Sequence, residues 1–294
     1  MRRLRLFTLG LMLAALTPPA LAEGCLAPGD WWQHGSVTEA SRVMARAAAQ
    51  DVVLIGERHD QMADHRFELH TLAGLAARRD DMVIGLEMLP RRAQPALDAW
   101  VNGELSEDEL LRQSRWDETW GFEAAMYLPI FHFTRMNRIP LVALNIAPEL
   151  RRRLADEGFD AVPPAERHGI APPAAPRPAY RRRLRAVYDA HPLERPFTTF
   201  LRAQLAWDTA MADALARASA GGKLAVGIMG RGHMQHRDGV AHQLDKRGVH
   251  HQMTLLPVPA DSCRPQTPGL ADALYMLEAS PAPKAGFMER LDTG

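Results

Sequence analysis

Four short, unbroken apolar runs constrain this chain most: Val52–Ile55, Met82–Leu86, Pro140–Leu144 and Leu224–Ile228. A strand with one wet face alternates apolar and polar residues, and these runs do not alternate. Such runs belong to strands buried on both faces, the condition of a largely parallel sheet with helices on each side. Between the first two lies a helical pattern, Ala63–Arg79, whose apolar stripe is Phe67, Leu69, Leu72, Leu75 and Ala76. Strand, helix and strand then make a βαβ unit.

After Glu87 the tight alternation stops. Arg92–Asn102, Ser106–Ser114 and Glu123–Asn137 read as helices, with Ser106 and Glu109 spaced as a capping box. A second excursion runs from Pro148 to about Ala220. It contains the proline-rich stretch 163–178, which cannot be the interior of a regular helix or strand. The helix Phe197–Ala218 returns the chain to the sheet, and further strands are expected at His251–Val258 and Ala273–Leu277. The expected fold class is α/β: a central, mostly parallel sheet flanked by helices, with a helical cap inserted after the second and third strands.

The first 22 residues have a basic start (Arg2, Arg3, Arg5), an apolar stretch Leu6–Leu16 and a small-residue exit at Ala20-Leu21-Ala22. This is the pattern of a secretory signal, too short to span a membrane as a helix. Residues 23–294 are then expected to form one exported α/β domain. In an oxidising compartment the chain's two cysteines, Cys25 and Cys263, suit a disulfide. Lipid attachment at Cys25 is the alternative, disfavoured by Glu23 just before it. A formal net charge of zero lacks the electrostatic footprint of a nucleic-acid binder. The clusters Arg151–Arg153 and Arg181–Arg183 read as solvated helix faces.

Each apolar run ends in polar residues: Gly56-Glu57-Arg58-His59-Asp60, then Glu87, then Asn145, then Gly230-Arg231-Gly232-His233. Open α/β sheets bind ligands beyond the carboxyl ends of their strands. Parallel neighbours would bring Glu57, His59, Glu87, Asn145 and His233 to one crevice. Glycine lets a strand turn sharply while its backbone approaches a ligand, and the Gly-x-x-His segment occurs twice. Gln204 and Asp208, one turn apart, share a helix face that could look into the same crevice. His65, His70, His236, His242, His250 and His251 complete no metal-binding helical pattern and read as surface residues. Trp116, Trp120, Phe122 and Tyr127 read as an aromatic mini-core under the cap, or as a pocket wall.

Leu54–Asp60, Gly85–Met88, the Trp116–Tyr127 stretch, Pro140–Asn145, Ala203–Asp208 and Gly230–His233 together closely resemble the ChaN-like proteins of the Tiki superfamily, over about Asp51 to Tyr275. The resemblance implies the α/β fold shared with erythromycin esterases and a haem-binding role in iron uptake. It also implies a tyrosine iron ligand from the variable cap region, where this chain offers Tyr180 and Tyr188. His59 or His233 would be the second ligand or hydrogen-bond partner, with Arg182 and Arg185 near the propionates. With no Cys-x-x-Cys-His segment, the haem would be held non-covalently. A homodimer sandwiching the haem, and outer-membrane haem uptake components as partners, are the expected associations. Relatives that hydrolyse suggest an alternative: a divalent metal on His59, His233, Glu57 and Glu87, with Glu57 or Glu87 as general base of a hydrolase or protease.

Overall fold

The computed structural model describes residues 25–191, 194–260, 265 and 267–278. The expected signal segment and Cys263, on which the disulfide expectation depends, lie outside the described residues.

The elements run β1 (Trp31–Gln33), β2 (Ser36–Thr38), α1 (Ala40–Ala48), β3 (Val52–Glu57), α2 (Met62–Ala76), β4 (Met82–Pro90), α3 (Gln94–Asn102), α4 (Glu107–Ser114), α5 (Trp116–Thr119), α6 (Leu128–Asn137), β5 (Leu141–Asn145), α7 (Pro148–Asp156), α8 (Pro178–Ala190), α9 (Phe197–Ala218), β6 (Leu224–Gly230), α10 (Val240–Asp245), β7 (Gln252–Pro259) and β8 (Ala273–Leu277). They build an eight-stranded sheet in the order β2-β1-β8-β7-β3-β6-β4-β5. Six strands are mutually parallel, and the antiparallel pair β1 and β2 closes one edge. Among the described residues no helix is long and apolar enough to cross a membrane.

The apolar runs behave as two-sided burial requires. Val53, Ile55, Ile84, Leu86, Val226 and Ile228 pack with Phe67 and Leu75 of α2, Leu97 and Trp100 of α3, and Phe131 of α6. Their alternates Val52, Leu54, Ala225 and Met229 pack on the other face with Met211 and Leu215 of α9 and Leu244 of α10. Fully burying each such side chain contributes roughly 1.5–3 kcal/mol, so these two layers hold the sheet's carboxyl edge in place. The helices after β4 and β5 form the expected insertions. The capping box at Ser106 is present, with Ser106 N–H donating to Glu109 Oε2 at 2.7 Å. The proline-rich stretch holds a 3-10 turn at Pro164–Arg167 and otherwise runs without regular structure until Pro178, which sits in the first turn of α8, where its missing N–H costs nothing.

The sequence reading had no counterpart for β1, β2, α1, α5 or α10, and it touched α7 and α8 only through their arginine clusters. The β1–β2 hairpin turns through His34 and Gly35, both with positive φ (51° and 83°), the backbone that a two-residue turn needs to follow strand twist.

Register fixes the working edge. Glu57 lies opposite Gly230, and Leu86 opposite Ile228. β3, β6 and β4 are adjacent and parallel, so their carboxyl ends meet. The β4–β5 ladder slips between Leu86 and Pro90, an irregularity of the kind that re-aims a side chain beside a site; Glu87 sits in it. Gly239 caps α10 with φ 54° and ψ −122°, and a Cβ there would run into the His233 carbonyl oxygen. Gly239→Ala is therefore expected to lower stability by about 2–5 kcal/mol, from combined backbone strain and overpacking. A denaturant midpoint indistinguishable from the parent would refute this packing.

Candidate functional site at the carboxyl edge of the sheet

Glu57 closes β3 and is 1% exposed. Its Oε1 accepts a hydrogen bond from His59 Nδ1 at 2.8 Å. The phenol of Tyr127, buried by the cap, donates toward the same carboxylate at 3.3 Å. Across β6, Glu87 Oε2 accepts from the Gly230 backbone N–H at 2.6 Å, while Oε1 lies 3.3 Å from His233 Nε2. His233 Nδ1 faces Asp208 Oδ1 at 2.6 Å, and Asp208 Oδ2 accepts from the Tyr180 hydroxyl at 2.8 Å. Each histidine thus has a carboxylate behind it, with Glu87 between them. A Cβ on Gly230 would lie 2.8 Å from His59 Cε1 and 3.6 Å from Glu87 Oε2, so glycine is required for this approach.

The walls are aromatic. Trp120 and Phe122 pack on the His59 ring at 4.6 and 5.1 Å between centroids, and Trp207 packs on His233 at 4.9 Å. The Arg151 guanidinium stacks over Trp207 at 4.3 Å. Asn145 steadies the floor by donating to the Glu87 carbonyl at 3.0 Å.

Buried charge sets the electrostatics. Burial works against a charged His233, but the Glu87 charge and hydrogen bonds to Asp208 and Glu87 outweigh it and lift its pKa to about 10. Burial also opposes charge on His59, yet its bond to Glu57 and the field of Glu87 raise its pKa. For Glu87 burial is again the largest influence, pushing upward, but His233, His59 and the Gly230 N–H together hold its pKa below the ordinary value. At neutral pH the pair is an imidazolium beside a carboxylate. Burial first, then the nearby Asp208 charge, raise the Tyr180 pKa well above that of a free phenol.

Glu57, His59, Glu87, Asn145 and His233 therefore meet, and Asp208 joins them. Gln204 is only half-buried. Tyr188 is remote from this hydrogen-bond network: its hydroxyl donates to the Arg195 carbonyl at 2.7 Å, and its ring packs on Phe197 and Phe200. Arg182 and Arg185 are exposed on α8. His65 and His242, expected at the surface, are buried at 2% and 7% exposure. His242 is held by the Ala175 carbonyl at 2.9 Å and His65 by carboxylates. Arg151 and Arg183 also depart from a solvated face, Arg151 through its indole stack and Arg183 through Asp238. Among the described residues, the histidine and carboxylate atoms close enough to share a metal ion are those of Glu57, His65 and Glu68. The expected ligands His59, His233 and Glu87 are not part of that group.

Residues 43–244 match the sequence model of the family described as haem-binding uptake, Tiki superfamily, ChaN. The chain belongs to that family. Among solved structures, ChaN of Campylobacter jejuni, described by cofacial haem binding, matches with a TM-score of 0.63 at 14% identity, over 83% of this chain and 95% of that one. At that identity the likeness shows a shared fold. The type III effector HopBA1 matches at 0.48 (12% identity; 81% of this chain, 92% of that one). A variant of the erythromycin esterase EreC in its open conformation matches at 0.45 (14% identity; 78% and 77%). No curated protein sequence matches this one.

The raised pKa of His233 carries a linkage. With a folded value near 10 against an ordinary 6.5, its stabilising contribution is complete below about pH 6.5 and is lost as pH rises through about 10, a change on the order of several kcal/mol. Denaturant unfolding between these pH values should show falling stability, with a shallower fall in His233→Gln. An equal slope in the variant would refute the clamped imidazolium.

Proposed function

We propose that this protein is exported by its first 22 residues and carries ferric haem non-covalently in iron uptake, held on the α8–α9 face. Membership of a haem-binding uptake family supports the ligand. The observation that carries the location is a half-buried aromatic group ringed by cations. Tyr188 packs against Phe197 and Phe200 at 5.6 and 5.9 Å. The Arg185 guanidinium lies over Tyr188 and Phe197, and that of Arg181 over Phe197. Val187 beside them is 53% exposed.

The donor set suits ferric haem. An anionic phenolate oxygen stabilises the oxidised iron, guanidinium groups pair with carboxylates, and aromatic and aliphatic surface covers a flat macrocycle. Tyr188 would be the iron ligand, with Arg181, Arg182 and Arg185 toward the propionates. Tyr180 fits this role poorly, because its hydroxyl is committed to Asp208 and its pKa is raised. A second copy sandwiching the ligand, and outer-membrane uptake components as donors, complete the reading.

The test is an absorbance titration of the mature protein with ferric haem. Saturation at stoichiometric haem with a phenolate charge-transfer band is expected, and Tyr188→Phe should abolish the band while Tyr180→Phe keeps it. Non-saturating addition refutes haem carriage; an unchanged spectrum in Tyr188→Phe refutes the ligand.

A second reading, hydrolysis, is favoured by one observation: His59 Nδ1 is fixed on Glu57 beside an imidazolium at His233. Neutral His59 would present Nε2 as general base toward water, and His233 would stabilise developing negative charge. Ester turnover that vanishes in His59→Ala, with haem titration unaltered, would support it.

A further inference from the structure

Glu57 commits one carboxylate oxygen to the crevice, and the other meets a separate group behind it. Oε2 lies 3.2 Å from His65 Nδ1, and Glu68 Oε2 lies 3.0 Å from that same nitrogen. His65 and Glu68 stand one turn apart on α2, which places them on one face, and their exposures are 2% and 0%. The other ring nitrogen, His65 Nε2, donates to the His59 backbone carbonyl at 3.1 Å. That bond makes Nε2 a protonated nitrogen and turns Nδ1 toward two carboxylate oxygens. Three donor atoms thus converge away from water, where a cation would satisfy all of them. A second observation is independent of this geometry: Glu68 Oε1 is buried with no hydrogen-bond partner.

We propose that Glu57, His65 and Glu68 bind a small divalent cation of the zinc class. One imidazole nitrogen and two carboxylates are a common ligand set for such an ion. Ligands about 2.1 Å from a tetrahedral ion stand roughly 3.4 Å apart, close to the separations present. A histidine ligand that donates its remote N–H to a backbone carbonyl is the usual outer-shell arrangement. The nearby Arg58 guanidinium is taken by Asp64, at 2.7 and 3.1 Å. The closest additional oxygen donor to Glu57 is the Tyr127 hydroxyl, at 3.3 Å.

With its protein ligands buried, the ion would be structural: it would anchor the start of α2 to the end of β3 and fix the carboxylate that orients His59. The site shares no residue with the α8–α9 face, so it stands or falls separately from haem binding.

The test uses the full mature chain, purified without chelators. Elemental mass spectrometry should find stoichiometric zinc, and removal by a strong chelator should lower Tm, with zinc sulfate restoring it. Cobalt(II) in its place should give the visible bands of tetrahedral coordination. Glu68→Gln and His65→Asn should weaken zinc binding roughly tenfold or more, whereas His233→Gln should retain it. If stripped wild-type protein takes up no zinc and its Tm ignores both zinc and chelator, the group is held by protons and the proposal is overturned. Full zinc affinity in Glu68→Gln overturns the ligand assignment. Should that variant fail to fold, the wild-type response to zinc and chelator decides.

Discussion

The carboxyl edge is organised around a carboxylate that has no water to turn to. Glu57 ends a strand hydrogen-bonded on both sides and is sealed by the cap, and burying such a group without partners costs several kcal/mol. Its surroundings supply them from three directions. His59 comes from the turn that follows β3, His65 from the first turns of α2, and Tyr127 from the loop that enters α6. Two of these segments follow β3 directly, and the third is brought back by the first helical insertion. Glu87 repeats the arrangement one strand over, with a backbone N–H at Gly230 and a histidine. Ion pairs of this kind are weak contributors to net stability, since apolar residues of equal volume would pack as well. Their strength is in geometry: each histidine ring is held at a defined nitrogen.

The sheet's centre is legible in the sequence because two-sided burial erases alternation, and Val52–Ile55 or Leu224–Ile228 could scarcely be anything else in a chain with helix-length intervals. Convergence of Glu57, His59, Glu87 and His233 follows from parallel neighbours alone. The edge hairpin is not legible: three-residue strands carrying Gln33 and Ser36 give no periodic signal, and their turn rests on His34 adopting a positive φ. His65 and Glu68 escape for another reason. On α2 the buried polar residues Asp64, His65, Glu68 and Thr71 repeat with the same spacing that a solvated face would show. Only the position of α2 against β3 separates the two. Asp208 falls between these cases, since helix spacing places it on a face with Gln204 but cannot say which strand end that face meets.

Helix α8 joins the two regions that the sequence treats as one. Its first turn is pinned inward, where Tyr180 reaches Asp208 and through it His233, and Tyr180 and Leu184 pack with Leu201 of α9. Two turns later, about 12 Å along the axis, Tyr188 lies at the rim with Phe197 and Phe200. One aromatic residue type therefore serves opposite ends of a helix with different partners. Tyr180 is a neutral phenol that must keep its proton to satisfy a buried aspartate. The Tyr188 hydroxyl bonds to a backbone carbonyl, a partner it can exchange at small cost because the bond is exposed to water.

In the proposed function, that contrast separates iron ligation from the crevice. A phenolate ligand needs an environment that tolerates negative charge, and the carboxyl edge already holds Glu57, Glu87 and Asp208, whose histidine partners are His59, His65 and His233. The α8 rim carries Arg181, Arg182 and Arg185 with only Asp189 opposing them on the same helix. On the proposed reading, a dianionic macrocycle side and an anionic oxygen ligand would be accommodated where the guanidinium groups are and repelled where the carboxylates are. The crevice suits the opposite charge, with two histidines bonded to carboxylates within a wall of indole and phenyl rings that limits water. The fold thus keeps two electrostatic environments of opposite sign on one scaffold, with the hydrogen bond from Tyr180 to Asp208 and the packing of Tyr180 and Leu184 on Leu201 between them.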